Sequence, residues 1–279
     1  MVGKKTFTKI RKIVAYVVLT AGALFFSIPF LWMLSTSLKS NRDLFAWPPI
    51  WLPYPPLWKN YVDAVTNIPF FRFAMNTLLM ASLGVLGAVV SCSLVAYGLA
   101  RIRWPGRNVL FAVTILVMLI PYEITMIPLF LLFQKFGWID TLLPLWVPSW
   151  LGVPFYIFLL RQFFMSIPME LSDSARMDGA SHWRIYSSII LPLSKSALGV
   201  VALFQFVSQW TDFMRPLIYL HSEEKYTLSL GLVMFQTQHR AMWQQLMAAS
   251  IITIIPIIII FLFLQRTFIE GIHLTGIKA

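Results

Sequence analysis

The sequence predicts an all-α membrane protein, with six transmembrane helices and a short helix pair outside the bilayer. Three observations predict it. Mean hydropathy is +0.75. Of 279 residues, 58% are hydrophobic and only 12% charged, where a soluble domain is about a quarter charged. The apolar residues also gather into six runs, each near the roughly 20 residues needed to cross the hydrocarbon core. A soluble fold of this length has no interior large enough for so much apolar surface, so lipid is its solvent. The runs lie at about 13–37, 73–100, 108–133, 142–164, 196–220 and 244–265. They leave a tail at 1–12, a membrane domain at 13–265 with a polar connection at 161–195, and a second tail at 266–279.

The first run follows Lys4, Lys5, Lys9, Arg11 and Lys12. A signal peptide starts in the same way, but this run is too long and no small-x-small site follows it, so it reads as a retained span. Between the first and second runs lies Trp47-Pro-Pro-Ile-Trp-Leu-Pro-Tyr-Pro-Pro-Leu-Trp58. Its five prolines exclude a regular helix, while its Trp and Tyr side chains suit a membrane–water interface. The second run carries Ser82, Gly84, Gly87, Ala88, Ser91 and Ser93, small residues that let helices approach closely. Pro121 and Pro128 break the third run. Lipid offers no replacement for the hydrogen bonds they remove, so this span faces other helices or a pore.

Charge sets the orientation. With the N-terminus in the cytosol, 14 Lys and Arg fall on the cytosolic side and 7 outside, with Arg215 inside a span. That bias places both termini in the cytosol. The net charge of +11 is therefore topological. No basic patch interleaves with aromatics, and nucleic acid is excluded as a partner. Cys92 is the single cysteine, so no internal disulfide forms, and it reads as a small buried hydrophobe. His182, His221, His239 and His273 are far apart. No metal-ligand spacing, catalytic constellation or phosphate-cradling GxxxxGK[ST] loop is present, so no metal, catalytic or nucleotide site is expected.

The connection at 161–195 is polar but patterned as structure. Pro168 suits a first helical turn, and Glu170 and Asp173 suit its positive end. Asp178-Gly179 signals a turn, Ser181 can cap a second short helix through Trp183, Arg184, Ile185 and Ile189, and Pro192 ends it. Leu171, Ala175, Met177 and Trp183 need a covering surface. That surface is either a partner protein or the underside of the membrane.

Residues 166–193, SIPMELSDSARMDGASHWRIYSSIILPL, resemble the EAA loop of ABC importer permeases. Asp173, Ser174 and Ala175 fall on the E-A-A, Gly179 on its glycine and Pro192 on its distal proline, with Asp for Glu and Ser for the first Ala. Trp210-Thr-Asp-Phe-Met-Arg-Pro-Leu-Ile-Tyr219 is similar to the W-N-D-F-x-x-P-L segment of maltose-type carbohydrate permeases, with Thr211 for Asn. Ile120–Pro128, Tyr226–Gly231, Met247–Ser250, Gln265–Gly271 and Gly276–Ala279 resemble further segments of that family, in order.

The resemblance implies a type I ABC importer permease in a bacterial plasma (inner) membrane, forming half of a pore. It implies a second, non-identical permease subunit, two ATP-binding subunits, an extracytoplasmic solute-binding protein and a carbohydrate substrate. ATP and magnesium belong to the partners. Asp173, Ser174, Ala175, Asp178, Gly179 and Ala180 are implied as the ATPase-coupling element. The tail Glu270–Ala279 is implied to touch the ATPases, and the loop 221–240 to face the binding protein or serve as a connector.

Glu123, Asp212 and Arg215 are ionisable groups in or near spans, where charge is costly. Asp212 and Arg215 stand three apart on one helical face and can pair, and Trp210 nearby can stack on a sugar ring. These four either meet the solute path or hold the bundle together. A secondary transporter or channel would show inverted repeats, and a membrane enzyme a nucleophile–base or metal set. Neither is visible.

Overall fold

The structure is a computed structural model. It describes the backbone of residues 2–237 and 240–275, and the side chains of residues 9–236 and 241–265. The architecture is all-α. In chain order the helices are α1 (Val2–Ser37), α2 (Lys59–Thr66), α3 (Phe70–Arg101), α4 (Arg107–Met118), α5 (Tyr122–Lys135), α6 (Leu143–Trp146) and α7 (Pro154–Ser166). They continue with α8 (Glu170–Met177), α9 (His182–Ile185), α10 (Leu191–Leu193), α11 (Lys195–Trp210), α12 (Met214–Tyr219), α13 (Leu228–Gly231) and α14 (Trp243–Thr275). The one β-ladder pairs two-residue strands, β1 (Gln236–Thr237) and β2 (Arg240–Ala241).

Among the described residues, four stretches are long and apolar enough to cross a bilayer: Lys9–Ser37, Phe70–Arg101, Leu143–Ser166 and Trp243–Gln265. Two bent pairs bring the total to six if each counts as one span. The run at 108–133 is one such pair. α4 and α5 meet at 99° across residues 119–121, because Pro121 is extended at ψ 144° and cannot continue α4. Pro128, by contrast, sits inside α5. The run at 196–220 is also interrupted: α11 ends at Trp210 and α12 starts at Met214. At its other end α11 turns 78° away from the helical stretch His182–Leu193, so the break falls just after Pro192, at Ser194.

The chain divides into two compact units, 1–68 with 232–254, and 69–231 with 255–279. In the first unit, residues Lys9–Ser37 of α1 bury none of their most apolar window. Leu19, Phe25 and Phe26 stand fully out, as lipid or a neighbouring chain requires. Beyond α1, Asn60 Nδ2 donates to the carbonyls of Ser37 and Lys39 at 2.9 and 3.1 Å, tying α2 to the end of α1.

The second unit is built around α3. Gly84 lets α3 press against Gln209 of α11, and Gly87 admits the indole of Trp150. A Cβ at either position would overlap those side chains. The Trp150 indole N–H then donates to the Leu83 carbonyl at 3.0 Å. Cys92 is buried, and its sulfur accepts from the Val153 backbone N–H at 3.1 Å. A core of Leu99, Leu160, Phe164, Ile185, Ile190 and Val201 joins α3, α7, α9 and α11. A second core joins Met80, Phe133, Leu145 and Tyr219.

Arg161 belongs to α7 rather than to the polar connection. It is buried, its guanidinium 3.8 Å from the Phe111 ring centroid, and its Nε–H donates to the Leu99 carbonyl at 3.3 Å. The connection proper therefore starts at Ile167.

Candidate functional site

Two features of the second unit are the candidates for function: the helix pair after α7, and a cavity between α5, α6, α7, α11 and α12.

The helix pair is fixed by local chemistry. α8 starts after Pro168 and Met169, so Pro168 precedes the helix rather than occupying its first turn. Glu170 and Asp173 lie in its first turn and Arg176 in its last, which complements the helix dipole. Its end is a Schellman cap. Gly179 has φ +79°, its N–H donates to the Arg176 carbonyl at 2.9 Å, and the Ala180 N–H reaches back to the Ala175 carbonyl at 2.9 Å. Glycine adopts that φ without steric cost. Ala175 and Ala180 pack together on the protein's own core, so Ala175 needs no outside surface. Ser181 Oγ then accepts from the Arg184 N–H at 3.3 Å and starts α9.

What remains outside is apolar. Met177 is 88% exposed and Trp183 66%, and Leu171 is exposed as well. Asp173, Ser174 and Asp178 are also exposed, and Asp173 accepts from Arg176 Nη1 at 2.8 Å. Exposed large apolar side chains make this helix pair a candidate docking surface.

The cavity measures about 720 Å³. Tyr122, Phe133, Phe136, Trp138, Tyr156 and Tyr219 supply aromatic walls, and Ser149, Gln205, Ser208, Asp212 and Arg215 supply polar groups. Asp212 and Arg215 pair, Nε to Oδ2 at 2.5 Å. Asp212 stands in the break between α11 and α12 and Arg215 in the first turn of α12, rather than both along one helix. The Arg215 N–H donates to Asp212 Oδ1 at 3.3 Å, and Arg215 Nη1 to the Leu145 carbonyl at 3.4 Å. Together they are the only charged groups on the cavity wall among the described residues, and their charges cancel.

The other two residues singled out near the spans lie elsewhere. Trp210 is buried with its indole stacked on Phe206, ring centroids 5.1 Å apart, and does not line the cavity. Glu123 is exposed in the first turn of α5, while its neighbour Tyr122 faces the cavity. Ser149, Gln205 and Gln209 escaped the sequence reading. Ser149 Oγ accepts from Gln205 Nε2 at 2.9 Å and from Gln209 Nε2 at 3.2 Å, and Gln209 Oε1 has no partner. Glutamines inside an apolar run were the available signal.

Asp140, after α5, ties itself to the segment that follows α12. Its carboxylate accepts from Ser222 Oγ, from the backbone N–H groups of Ser222 and His221 at 2.9 and 3.0 Å, and from Lys225 Nζ at 3.0 Å. These donors, the Ser222 hydroxyl foremost, hold its pKa well below the usual carboxylate range. Residues 238–239 and the tail motif Gly276–Ala279 lie outside the described residues, as do the side chains of 266–275. The contacts expected of the 221–240 loop tip and of the C-terminal tail fall there.

Residues 89–273 match the family described as binding-protein-dependent transport system inner membrane component. The chain is 34% identical over 209 residues to the arabinooligosaccharides transport system permease protein AraQ of Bacillus subtilis, covering 75% of this chain and 74% of that one. It is 30% identical over 272 residues to the trehalose/maltose transport system permease protein MalG of Thermococcus litoralis, covering 94% and 96%. Its fold superposes on a chain of a bacterial ABC transporter involved in import of the acidic polysaccharide alginate. The TM-score is 0.81 at 26% identity, covering 93% of this chain and 97% of that one.

Proposed function

The chain belongs to the family of inner membrane components of binding-protein-dependent transport systems, and on that premise we propose that it imports carbohydrate as half of an ATP-driven pore. It is a multi-pass membrane permease, not an enzyme. In this reading both termini lie in the cytosol. An extracytoplasmic binding protein delivers the solute to the opposite side. A second, non-identical permease completes the pathway, and two ATP-binding subunits, which hold ATP and magnesium, drive it.

The observation that carries the reading is the helix pair α8–α9. A capped element leaves Leu171, Met177 and Trp183 exposed among the described residues. Rigidity matters mechanically. A motor subunit gripping Asp173–Ala180 transmits its movement through Ala175, Ala180 and Ile185 into the core shared by α3, α7 and α11. A floppy loop would absorb that movement instead.

The cavity suits a neutral polyhydroxylated solute. Aromatic rings accept the apolar faces of sugar rings, and Gln205, Ser208, Asp212 and Arg215 offer hydrogen bonds without net charge. The names of the relatives, arabinooligosaccharides and trehalose/maltose, point to the same class.

The test is reconstitution of the complete complex with its binding protein, reading ATPase stimulation across a panel of neutral oligosaccharides, acidic oligosaccharides and amino acids. Stimulation by neutral oligosaccharides is expected. Stimulation by amino acids alone, or uptake without ATP, would overturn the proposal.

A further inference from the structure

At the end of α3 a cavity of about 340 Å³ opens toward α8, walled by Arg101, Arg103, Arg176, His182, Asp173 and Met169. Asp173 is already held by Arg176 at 2.8 Å, so those two charges cancel. Arg101 and Arg103 leave the cavity lining positive, with Glu170 of α8 near enough to act on Arg101 but not paired with it.

Arg101 is the unusual member. It is 2% exposed, yet no carboxylate pairs with it among the described residues. Its Nη1 donates to the Met169 sulfur at 2.7 Å and its Nη2 to the Pro168 carbonyl at 3.4 Å, both neutral acceptors and the first a weak one. Its Nε–H is buried with no acceptor. The other buried arginine, Arg161, rests its charge on the Phe111 ring and the Leu99 carbonyl. Among the described residues no ring lies under the Arg101 guanidinium, although Tyr97 is an electrostatic neighbour. A buried unpaired charge is costly, so an outside anion stabilises it.

The geometry points to a binding site here for the phosphate of an anionic phospholipid headgroup. Arg101 is the last residue of a candidate span, and charged and aromatic residues at span ends favour the headgroup region. Arg103 and Trp104 are exposed beside it, the Trp104 indole N–H held by the Gly98 carbonyl at 3.2 Å, and tryptophan favours that interface. Guanidinium groups bind phosphate through paired N–H donors, and basic pockets at helix ends hold lipid headgroups. The bound phosphate braces α8 against the end of α3, and the site needs neither ATPase nor solute.

The test uses the purified full chain in a neutral detergent, with no other protein present. Retention of phosphatidylglycerol and of phosphatidylcholine is read by native mass spectrometry. The wild-type chain is expected to retain phosphatidylglycerol about tenfold more strongly, since one charge-assisted contact is worth roughly that factor. Arg101→Gln should erase the preference. Arg103→Gln, at an exposed position that folding does not depend on, should reduce it. Lys12→Gln, on α1, should leave it intact. Displacement of the lipid by millimolar inorganic phosphate would support phosphate recognition and identify a free anion as a second source. Equal retention of the two lipids by the wild type, or a preference surviving in Arg103→Gln and in folded Arg101→Gln, would overturn the site. A carboxylate from a docked protein would then be the anion. Loss of transport coupling has no bearing on these readings.

Discussion

The Ala180 backbone N–H donates to the Ala175 carbonyl at 2.9 Å, closing α8 across Gly179 at φ +79°. Any other residue at 179 must enter the left-handed region. Nothing lies within 4 Å of the position a Cβ would take, so the penalty is conformational rather than steric. Gly179→Ala should destabilise the cap by about 1 kcal/mol and lower the ATP-driven uptake rate moderately. Gly179→Pro, whose φ is fixed near −65° and which lacks the N–H bonded to Arg176, should abolish uptake while the chain still reaches the membrane. Uptake assays paired with quantification of membrane-inserted chain check this, and normal uptake by Gly179→Pro would contradict it.

Asp212 and Arg215 can be separated by a variant series. Removing one partner leaves a charge in a largely enclosed position, which costs about 3 kcal/mol or more. Asp212→Asn and Arg215→Gln should each lower Tm in detergent, and the double variant should recover much of that loss. Because both groups face the cavity, the solute KM should rise in the singles and stay raised in the double. Recovery of KM along with Tm would assign the pair a purely structural role.

Gly84 and Gly98 make a paired control on α3. A side chain at 84 meets the Gln209 amide, whereas nothing lies within 4 Å of a Cβ at 98. Gly84→Leu should overpack the α3–α11 contact by about 1–3 kcal/mol and cut folded yield. Gly98→Ala should be neutral, or stabilise by up to about 1 kcal/mol through helix propensity. Thermal unfolding of the two variants in one detergent decides it.

Much of this was legible in the sequence, and the reasons are local. Pro121, Asp178-Gly179 and Ser181 each act on their immediate neighbours, so the sharp break before α5, the turn after α8 and the cap of α9 could be placed without a structure. The break at 211–213 carries no proline or glycine and reads as continuous helix. The cavity was less legible still, because Tyr122, Ser149, Gln205 and Tyr219 come from four elements far apart in the chain. An apolar run with a Trp in it does not say whether that ring faces core or pore. Trp210 turned out to be in the core.

The Asp140 clasp predicts a pH dependence. Its carboxylate has a lower pKa folded than unfolded, so its contribution is complete above the unfolded value of about 4 and fades as pH falls below it. Asp140→Asn should lower Tm at pH 7, and the gap to wild type should narrow as pH is taken from 5 toward 3. A gap that stays constant over that range would mean the clasp contributes nothing through its charge.

The most direct measurement is binding-protein-stimulated ATPase activity of the reconstituted complex carrying Met177→Asp or Trp183→Asp on the exposed face of α8–α9. Both side chains are exposed in this chain, so the variants should insert and fold normally while stimulation falls at least about tenfold, the loss expected when an apolar anchor is replaced by a charge at a docking surface. Undiminished stimulation in both variants would contradict the assignment of this helix pair as the grip of the motor.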